Sequence, residues 1–221
     1  MLTIANHPQR NSIRLALKQN RILREMPLDV WSDLEQSLEV TDYKKGALLV
    51  HQGTSAMGQY FILEGILKRV VANQDGKEMI LRFAAETDFD TSYAAWRLRT
   101  QVPYSIVAVT RARCAHLSMP DWVEFLARYP DVKAHFELEV MRLMSDVMAH
   151  TITLHLLDAP GRLDRFQRKH SDLVGRIPSK ELASYLNLTP ETLSRLKQSR
   201  ASVTALRPVA KQAPTSSSRS G

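Results

Sequence analysis

A single cysteine, Cys114, and eight glycines are all that the 221-residue chain contains of those two types. One thiol excludes an internal disulfide and any iron–sulfur or zinc site built from several cysteines of one chain. Its neighbours Ala112, Ala115 and Leu117 place it on a buried strand. No stretch has the glycine pattern of a phosphate-cradling loop. No apolar run approaches the roughly 18 residues of a membrane span, and no signal-peptide pattern opens the chain. A cytoplasmic protein without membrane contact is expected. His51, His116, His135, His150, His155 and His170 are scattered, with no i, i+4 pair supported by a third ligand, so no metal site is expected. No Ser/His/Asp or Cys/His signature of a catalytic triad is present. Neither an enzyme nor a resident cofactor is expected.

Hydrophobic residues make up 44% of the chain, enough for a packed core. The formal net charge of +7 is unevenly placed. From Arg162 onward there are 12 Lys and Arg against 4 Asp and Glu, a net of +8, whereas residues 1–161 carry 18 against 19. The excess positive charge therefore lies in the last quarter, as a polyanion-binding module requires.

That quarter contains PSKELASYLNLTPETLSRLKQ, residues 178–198. A first helix is predicted from Ser179 to Leu186, with Leu182 and Leu186 on one face and Ala183 small enough for a close helix crossing. Asn187 suits a left-handed corner, and Leu188 plugs the space behind it. Thr189-Pro190-Glu191 is a helix start: hydroxyl cap, proline in the first turn, acid near the positive end of the dipole. Leu193 and Leu196 turn the second helix onto the first. Glu191, Thr192, Arg195 and Lys197 are left facing outward, with Ser179 and Thr189 at the helix starts. An ordinary αα-hairpin shares the leucine spacing, but the full pattern is that of a helix-turn-helix whose second helix enters a major groove.

Ahead of it, residues 1–26 read as a basic, partly helical lead-in, followed by a short helix from Leu28 to Leu38. From Val40 to Leu117 the texture becomes short β-type runs: 48–50, 60–63, 67–72, 79–83, 105–110 and 113–117. Asn73-Gln74-Asp75-Gly76 forms a hairpin turn, and the regular spacing favours a β-roll or barrel-like domain. A helix over 121–128 precedes a long helix starting at Pro130. On it, Phe136, Val140, Leu143, Val147, His150 and Leu154 alternate at spacings of four and three, a coiled-coil seam. Met141, Met144 and Met148 widen the stripe, so one face can pack on the β-domain while another meets a second copy in a parallel homodimer. Asp158-Ala159-Pro160-Gly161 reads as a break and hinge.

These motifs resemble the cyclic-AMP receptor protein/FNR (Crp/Fnr) family of bacterial transcription regulators. The helix-turn-helix from Ile177 to Arg195 is similar to that family's motif almost throughout. Leu49-Val50-His51-Gln52-Gly53, Tyr60 to Gly65, Gly76 to Leu81 and Asp88-Phe89 are similar to its β-domain, and the likeness covers residues 25–198. It implies an α+β fold: an N-terminal cyclic-nucleotide-binding-like β-roll (jelly-roll or cupin-like), a long dimerisation helix and a C-terminal helix-turn-helix. It also implies double-stranded DNA, a second copy of the chain and RNA polymerase as partners, and a pseudo-palindromic operator. By position, Glu191 would accept from a cytosine amine and Arg195 address a guanine edge. A further family arginine falls at Pro190, which cannot donate.

In the family a cyclic nucleotide binds between the β-roll and the long helix, and a cyclic phosphodiester needs a cation and backbone donors there. The corresponding stretch here, Phe89-Asp90-Thr91-Ser92-Tyr93, lacks the family's glycine and glutamate, and its arginine falls near Val102-Pro103. The residues of the effector pocket are accordingly expected at Phe89, Asp90, Thr91, Ser92, Val102 and Pro103. Arg97 and Arg99 could substitute only with a different loop, and Asp88 and Asp90 would repel phosphate. Cyclic AMP is not expected, and another small molecule or a vestigial pocket takes its place.

The resemblance ends at Gln198. The expected divisions are 1–129 for the sensor, 130–158 for the dimerisation helix, 159–198 for the DNA-binding unit, and 199–221 for a disordered basic Ser/Pro-rich tail without a recognisable wing. The rival to a DNA-binding regulator is a ligand-sensing or protein-interaction protein whose DNA binding is impaired by the missing wing. A second rival, a metal-dependent enzyme on a cupin-like β-roll, predicts tightly bound metal.

Overall fold

The computed structural model describes residues 3–205. A short 3-10 turn and helix α1 (Arg10–Leu17) precede α2 (Leu28–Ser37), and eight strands follow: β1 (Glu39–Tyr43), β2 (Leu48–Val50), β3 (Gly58–Glu64), β4 (Leu67–Ala72), β5 (Glu78–Ala84), β6 (Phe89–Thr91), β7 (Ser105–Ala108) and β8 (Ala112–Ser118). Helix α3 (Tyr93–Leu98) interrupts them after β6. The remaining helices are α4 (Met119–Arg128), α5 (Pro130–Leu156), α6 (Ala159–Lys169), α7 (Ser179–Tyr185) and α8 (Pro190–Ala205).

The strands form two four-stranded antiparallel sheets, ordered β1-β8-β3-β6 and β2-β7-β4-β5. This is the expected β-roll. Between the sheets, Val50, Ile62, Leu67, Val102, Ile106 and Cys114 are buried together. The outer face of the first sheet packs on α2, α4 and α5 through Trp31, Phe61, Phe89, Trp122 and Phe136, all fully buried. Trp122 stacks on Phe125 and meets Phe136 edge-on at 5.2 Å, aromatic geometry that favours this junction beyond area alone. A third cluster joins Val70, Ile80 and Phe83 of the second sheet to Leu163, Phe166, Leu182, Tyr185 and Leu193 of the C-terminal helices. The C-terminal helices are thus seated on β4 and β5.

Local chemistry sets the boundaries. Ser118 caps α4 by accepting from the Asp121 amide at 3.2 Å, and Asp158 caps α6 by accepting from the Gly161 amide at 2.9 Å. Gly65 turns the chain between β3 and β4 at φ +89, where a Cβ would lie 2.2 Å from the Arg111 carbonyl oxygen. Only glycine fits that approach.

Several expectations need correction. β1, β6 and α3 were not expected as elements. β1 (Glu-Val-Thr-Asp-Tyr) and β6 (Phe-Asp-Thr) contain carboxylates that depress strand signal, and β6 is only three residues long. The stretch Asp158–Gly161 is not a break throughout. The chain turns at Leu157, and Asp158 already caps α6, which carries Pro160 and Gly161 in its first turn. Residues 199–205, expected in a disordered tail, continue α8. No proline occurs there to stop it, since the first follows at Pro208. The rest of the expected tail, and with it the question of a wing, lies outside the described residues.

The expected dimer seam is also reassigned. Phe136, Val140 and Leu143 are 0%, 8% and 4% exposed, committed to the chain's own core. Val147 packs against the same core, and His150 stacks on Tyr185 of α7. Leu154 is half-buried. This row faces inward because the β-roll needs an apolar cover. The exposed apolar row of α5 is Leu138, Met141, Met144, Met148, Ile152 and Leu156, between 41% and 77% accessible.

Candidate ligand cavity and nucleic-acid interface

A cavity of about 160 Å³ lies between α3, the β-roll and α5. Ala94, Ala95 and Leu98 supply one wall and Val140, Leu143 and Met144 the other, with Thr91, Pro103 and Tyr104 between them. Arg69 forms part of the lining although only 3% exposed. It reaches there because β4 points Arg69 inward, towards β6. Its Nη2 donates to Asp90 Oδ1 and, at 3.2 Å, to the Thr91 carbonyl. The guanidinium lies 4.0 Å from the Tyr104 ring centroid, a cation–π contact. Tyr104 in turn donates its hydroxyl to the Thr91 carbonyl at 2.6 Å.

Charge is balanced around this point. Arg82 pairs with Asp88 and approaches Asp90 Oδ2 at 3.7 Å. Burial pulls the Arg69 pKa down, but Asp90 and Tyr104 outweigh it and hold the guanidinium charged. Burial pushes the Tyr104 hydroxyl up to about 12. Arg69 Nε, Asp90 Oδ2 and Ser92 Oγ are buried with no hydrogen-bond partner.

Of the expected pocket residues, Thr91 and Pro103 line the cavity, and Asp90 lies behind it on Arg69. Phe89 and Val102 are fully buried in the cores on either side, and Ser92 is buried at the start of α3. Asp88 and Asp90 do not stand as free repulsive charges, because each has an arginine. Arg97 bonds Tyr93 and Glu137 instead of entering the cavity, and Arg99 ends α3 in a left-handed conformation. Sequence reasoning missed Arg69. Its signal was a charged residue in the middle of the apolar run Leu67–Ala72, which a buried strand tolerates only with a partner.

The second candidate region is α7, its corner and α8. Asn187 occupies the corner at φ +52, and Thr189 Oγ1 accepts from the Thr192 amide at 3.2 Å. Leu193 is 1% exposed and Leu196 half-buried beneath the helix. Ser179, Glu191, Arg195 and Lys197 are exposed. Thr189 and Thr192 are bound to one another through the cap, their hydroxyls 3.1 Å apart, so their first role is to start α8. Its own backbone amide and the Thr189 hydroxyl hold the Glu191 pKa below the usual carboxylate range, leaving it a pure acceptor at neutral pH.

The face of α7 turned towards the β-roll is engaged. Lys68 bonds Glu181 at 2.7 Å, Arg176 pairs with Glu86, and Tyr185 packs against Phe83, Phe166 and His150. The two ion pairs offset each other, one taking an acid and the other a base of this region, so its basic excess is left in place. Among the described residues no group of three or more His, Cys, Asp or Glu is placed to hold a metal, and no helix is long and apolar enough to cross a membrane.

Residues 40–129 match the cyclic nucleotide-binding domain family. The chain is 25% identical over 121 residues to the cAMP-activated global transcriptional regulator CRP of Pasteurella multocida, an alignment covering 55% of this chain and 58% of that protein. It is 24% identical over the same length to the Escherichia coli O6:H1 regulator of that name. The match thus spans little more than half the length of these curated relatives. Among solved structures, FixK2 from Bradyrhizobium japonicum shares the fold with a TM-score of 0.66 at 14% identity, over 79% of this chain and 89% of that one. The c-di-GMP responsive regulator CLP of Xanthomonas campestris does so at 0.65 and 14%, over 84% and 97%. Residues 40–129 are thus a cyclic nucleotide-binding domain, and with its curated relatives and its two-sheet roll followed by helices the chain is similar to the Crp/Fnr family.

Proposed function

We propose that this regulator is a cytoplasmic homodimer that binds double-stranded DNA through α7 and α8. In this reading residues 1–129 are the sensor, α5 pairs the two copies, and residues 159–205 read half-sites of a pseudo-palindromic operator. The observation that carries it is the geometry of α8. Its underside is fixed by Leu193, its start by Thr189, and its outward face presents Glu191, Arg195 and Lys197. Glu191, ionised and acceptor-only, suits a cytosine amine, and Arg195 suits a guanine edge. Pro190 brings no donor to its position, so the preferred half-site differs from that of relatives with arginine there.

The exposed row Met141, Met144, Met148 and Ile152 supports pairing along α5. Unbranched methionine side chains adapt to a facing helix, and an apolar row of this length is seldom left in water. Pairing along α5 gives the two α8 helices a two-fold relation, which a palindromic operator mirrors. The cavity between α3 and α5 supports an effector site altered from the cyclic-nucleotide type, because its arginine is already paired.

Selection of bound duplexes from a randomised pool near physiological salt tests this reading. A recovered palindrome with half-sites one helical turn apart is expected, and Arg195→Ala should erase preference at one guanine, a loss of about 1–3 kcal/mol of discrimination. No enrichment by a folded protein would overturn DNA recognition and favour the ligand-sensing alternative.

A further inference from the structure

The cavity beside Arg69 has dimensions and chemistry that select a different kind of molecule from a nucleotide. Its volume of about 160 Å³ is close to that of engineered apolar cavities (~150 Å³) that admit one benzene ring. Ala94, Ala95, Leu98, Val140, Leu143 and Met144 give it apolar walls on both sides. Leu98 and Met144 are themselves exposed, at 73% and 45%, so they connect the cavity to the surface.

The one cation in the lining is not available to an anion. Arg69 is bonded to Asp90, which is itself buried and also faces Arg82. An incoming phosphate or carboxylate would gain one guanidinium and lose against the adjacent Asp90 carboxylate, in a site too dry to screen the repulsion. A neutral ligand meets no such opposition. Arg69 Nε has no acceptor, and a buried donor in that state gains a full hydrogen bond when one is supplied.

We propose that this cavity binds an uncharged, single-ring organic molecule carrying one hydrogen-bond acceptor, the ring between the walls from α3 and α5 and the acceptor towards Arg69. The inference rests on reading the cavity as the effector site of the regulator. It goes further by naming the ligand class. The ring would touch both Ala94 of α3 and Met144 of α5, so occupancy ties the β-roll to the helix whose outer row is the proposed pairing surface.

The test is calorimetric titration of the full chain with four probes: phenol, toluene, benzoate and cyclic AMP. Phenol is expected to bind saturably at one site per chain and to raise Tm with concentration. Toluene should follow, while benzoate and cyclic AMP bind at least about tenfold more weakly. Ala94→Phe, which fills the cavity, should abolish phenol binding. Nuclear Overhauser contacts from the phenol ring to the Met144 and Ala95 methyl groups locate the ligand without any substitution. Absence of saturable binding by both phenol and toluene overturns the proposal, as does tighter binding of either anion, or ring contacts elsewhere in the molecule. A palindromic operator recovered from a protein that binds no phenol would leave the DNA-binding reading standing and remove this one alone.

Discussion

Helix α5 is treated differently by the rest of the molecule along its two sides and its two halves. Over residues 136–143 its inner side is sealed into an aromatic core with Phe61, Phe89 and Trp122. Beyond Val147 the inner side has a histidine ring on Tyr185, the buried Thr153 and the half-buried Leu154. Its outer side is a row of methionines and branched aliphatics between 41% and 77% exposed. The first half is anchored by apolar burial, which is strong and not directional. The second half is held by the His150 ring on Tyr185 and the ion pair of Asp146 with Lys169, which are weaker and depend on orientation and charge. A helix anchored at one end and lightly held at the other can relay a change in the cavity to α7 without unfolding.

Large effects on stability should follow the inner side. Phe136→Ala should cost about 3–5 kcal/mol, seen as a lower denaturant midpoint at any protein concentration, whereas Met148→Ala should lower the midpoint only by what it takes from self-association, an effect that depends on protein concentration. The same Met148→Ala should weaken self-association in sedimentation. Equal losses of stability from the two substitutions would erase the distinction between the sides. Asp90→Ala is expected to be about as severe as Phe136→Ala, because it strands the Arg69 charge in a buried site at a cost of about 3–5 kcal/mol. Replacing both partners, as Arg69→Met with Asp90→Leu, should recover most of that loss. A double variant no more stable than Asp90→Ala would mean that the pair does more than neutralise itself.

How far the chain could be read in advance follows the same division. The corner Asn187, the Thr189 cap and the leucines of α7 and α8 act locally, and their spacing foretold the geometry found. The strands bounded by Gly53, Gly65 and the Asn73–Gly76 turn were legible for the same reason. The heptad-like row from Phe136 to Leu154 was legible as an apolar stripe, but spacing alone does not say which partner covers it. The β-roll claimed that row, and the methionines one position round became the outer face. Arg69 and Asp90 lie 21 residues apart in different sheets. No local pattern joins them, so their pairing, and the neutral cavity that follows from it, emerged only from the fold. Asp88 and Asp90 looked repulsive in sequence because their arginines arrive from β4 and β5.

The smallest expected effect concerns the lightly held half. His150 lies flat on Tyr185 with ring centroids 3.8 Å apart and planes 1° apart, and its Nε2 is buried without a partner. His170 meets the same tyrosine edge-on at 6.4 Å. Burial, joined by the nearby His170, Lys169 and Arg165, pulls the His150 pKa from 6.5 to about 4, against a bond to the Tyr185 backbone that favours the charged form. Burial likewise lowers His170, with Asp172 and Asp146 opposing. Both rings are therefore neutral when α7 is seated. Their contribution to that seating is complete above pH 6.5 and is lost as pH falls towards about 4, where the seated form must accept a proton. Amide chemical shifts of α7 should move across that window while those of β7, which carries no titratable side chain, stay fixed. His150→Phe keeps an aromatic ring on Tyr185 and removes the proton site, so the α7 shifts should flatten over the acidic part of the range. An unchanged profile in His150→Phe would assign the response to His170 alone and leave the end of α5 without a part in it.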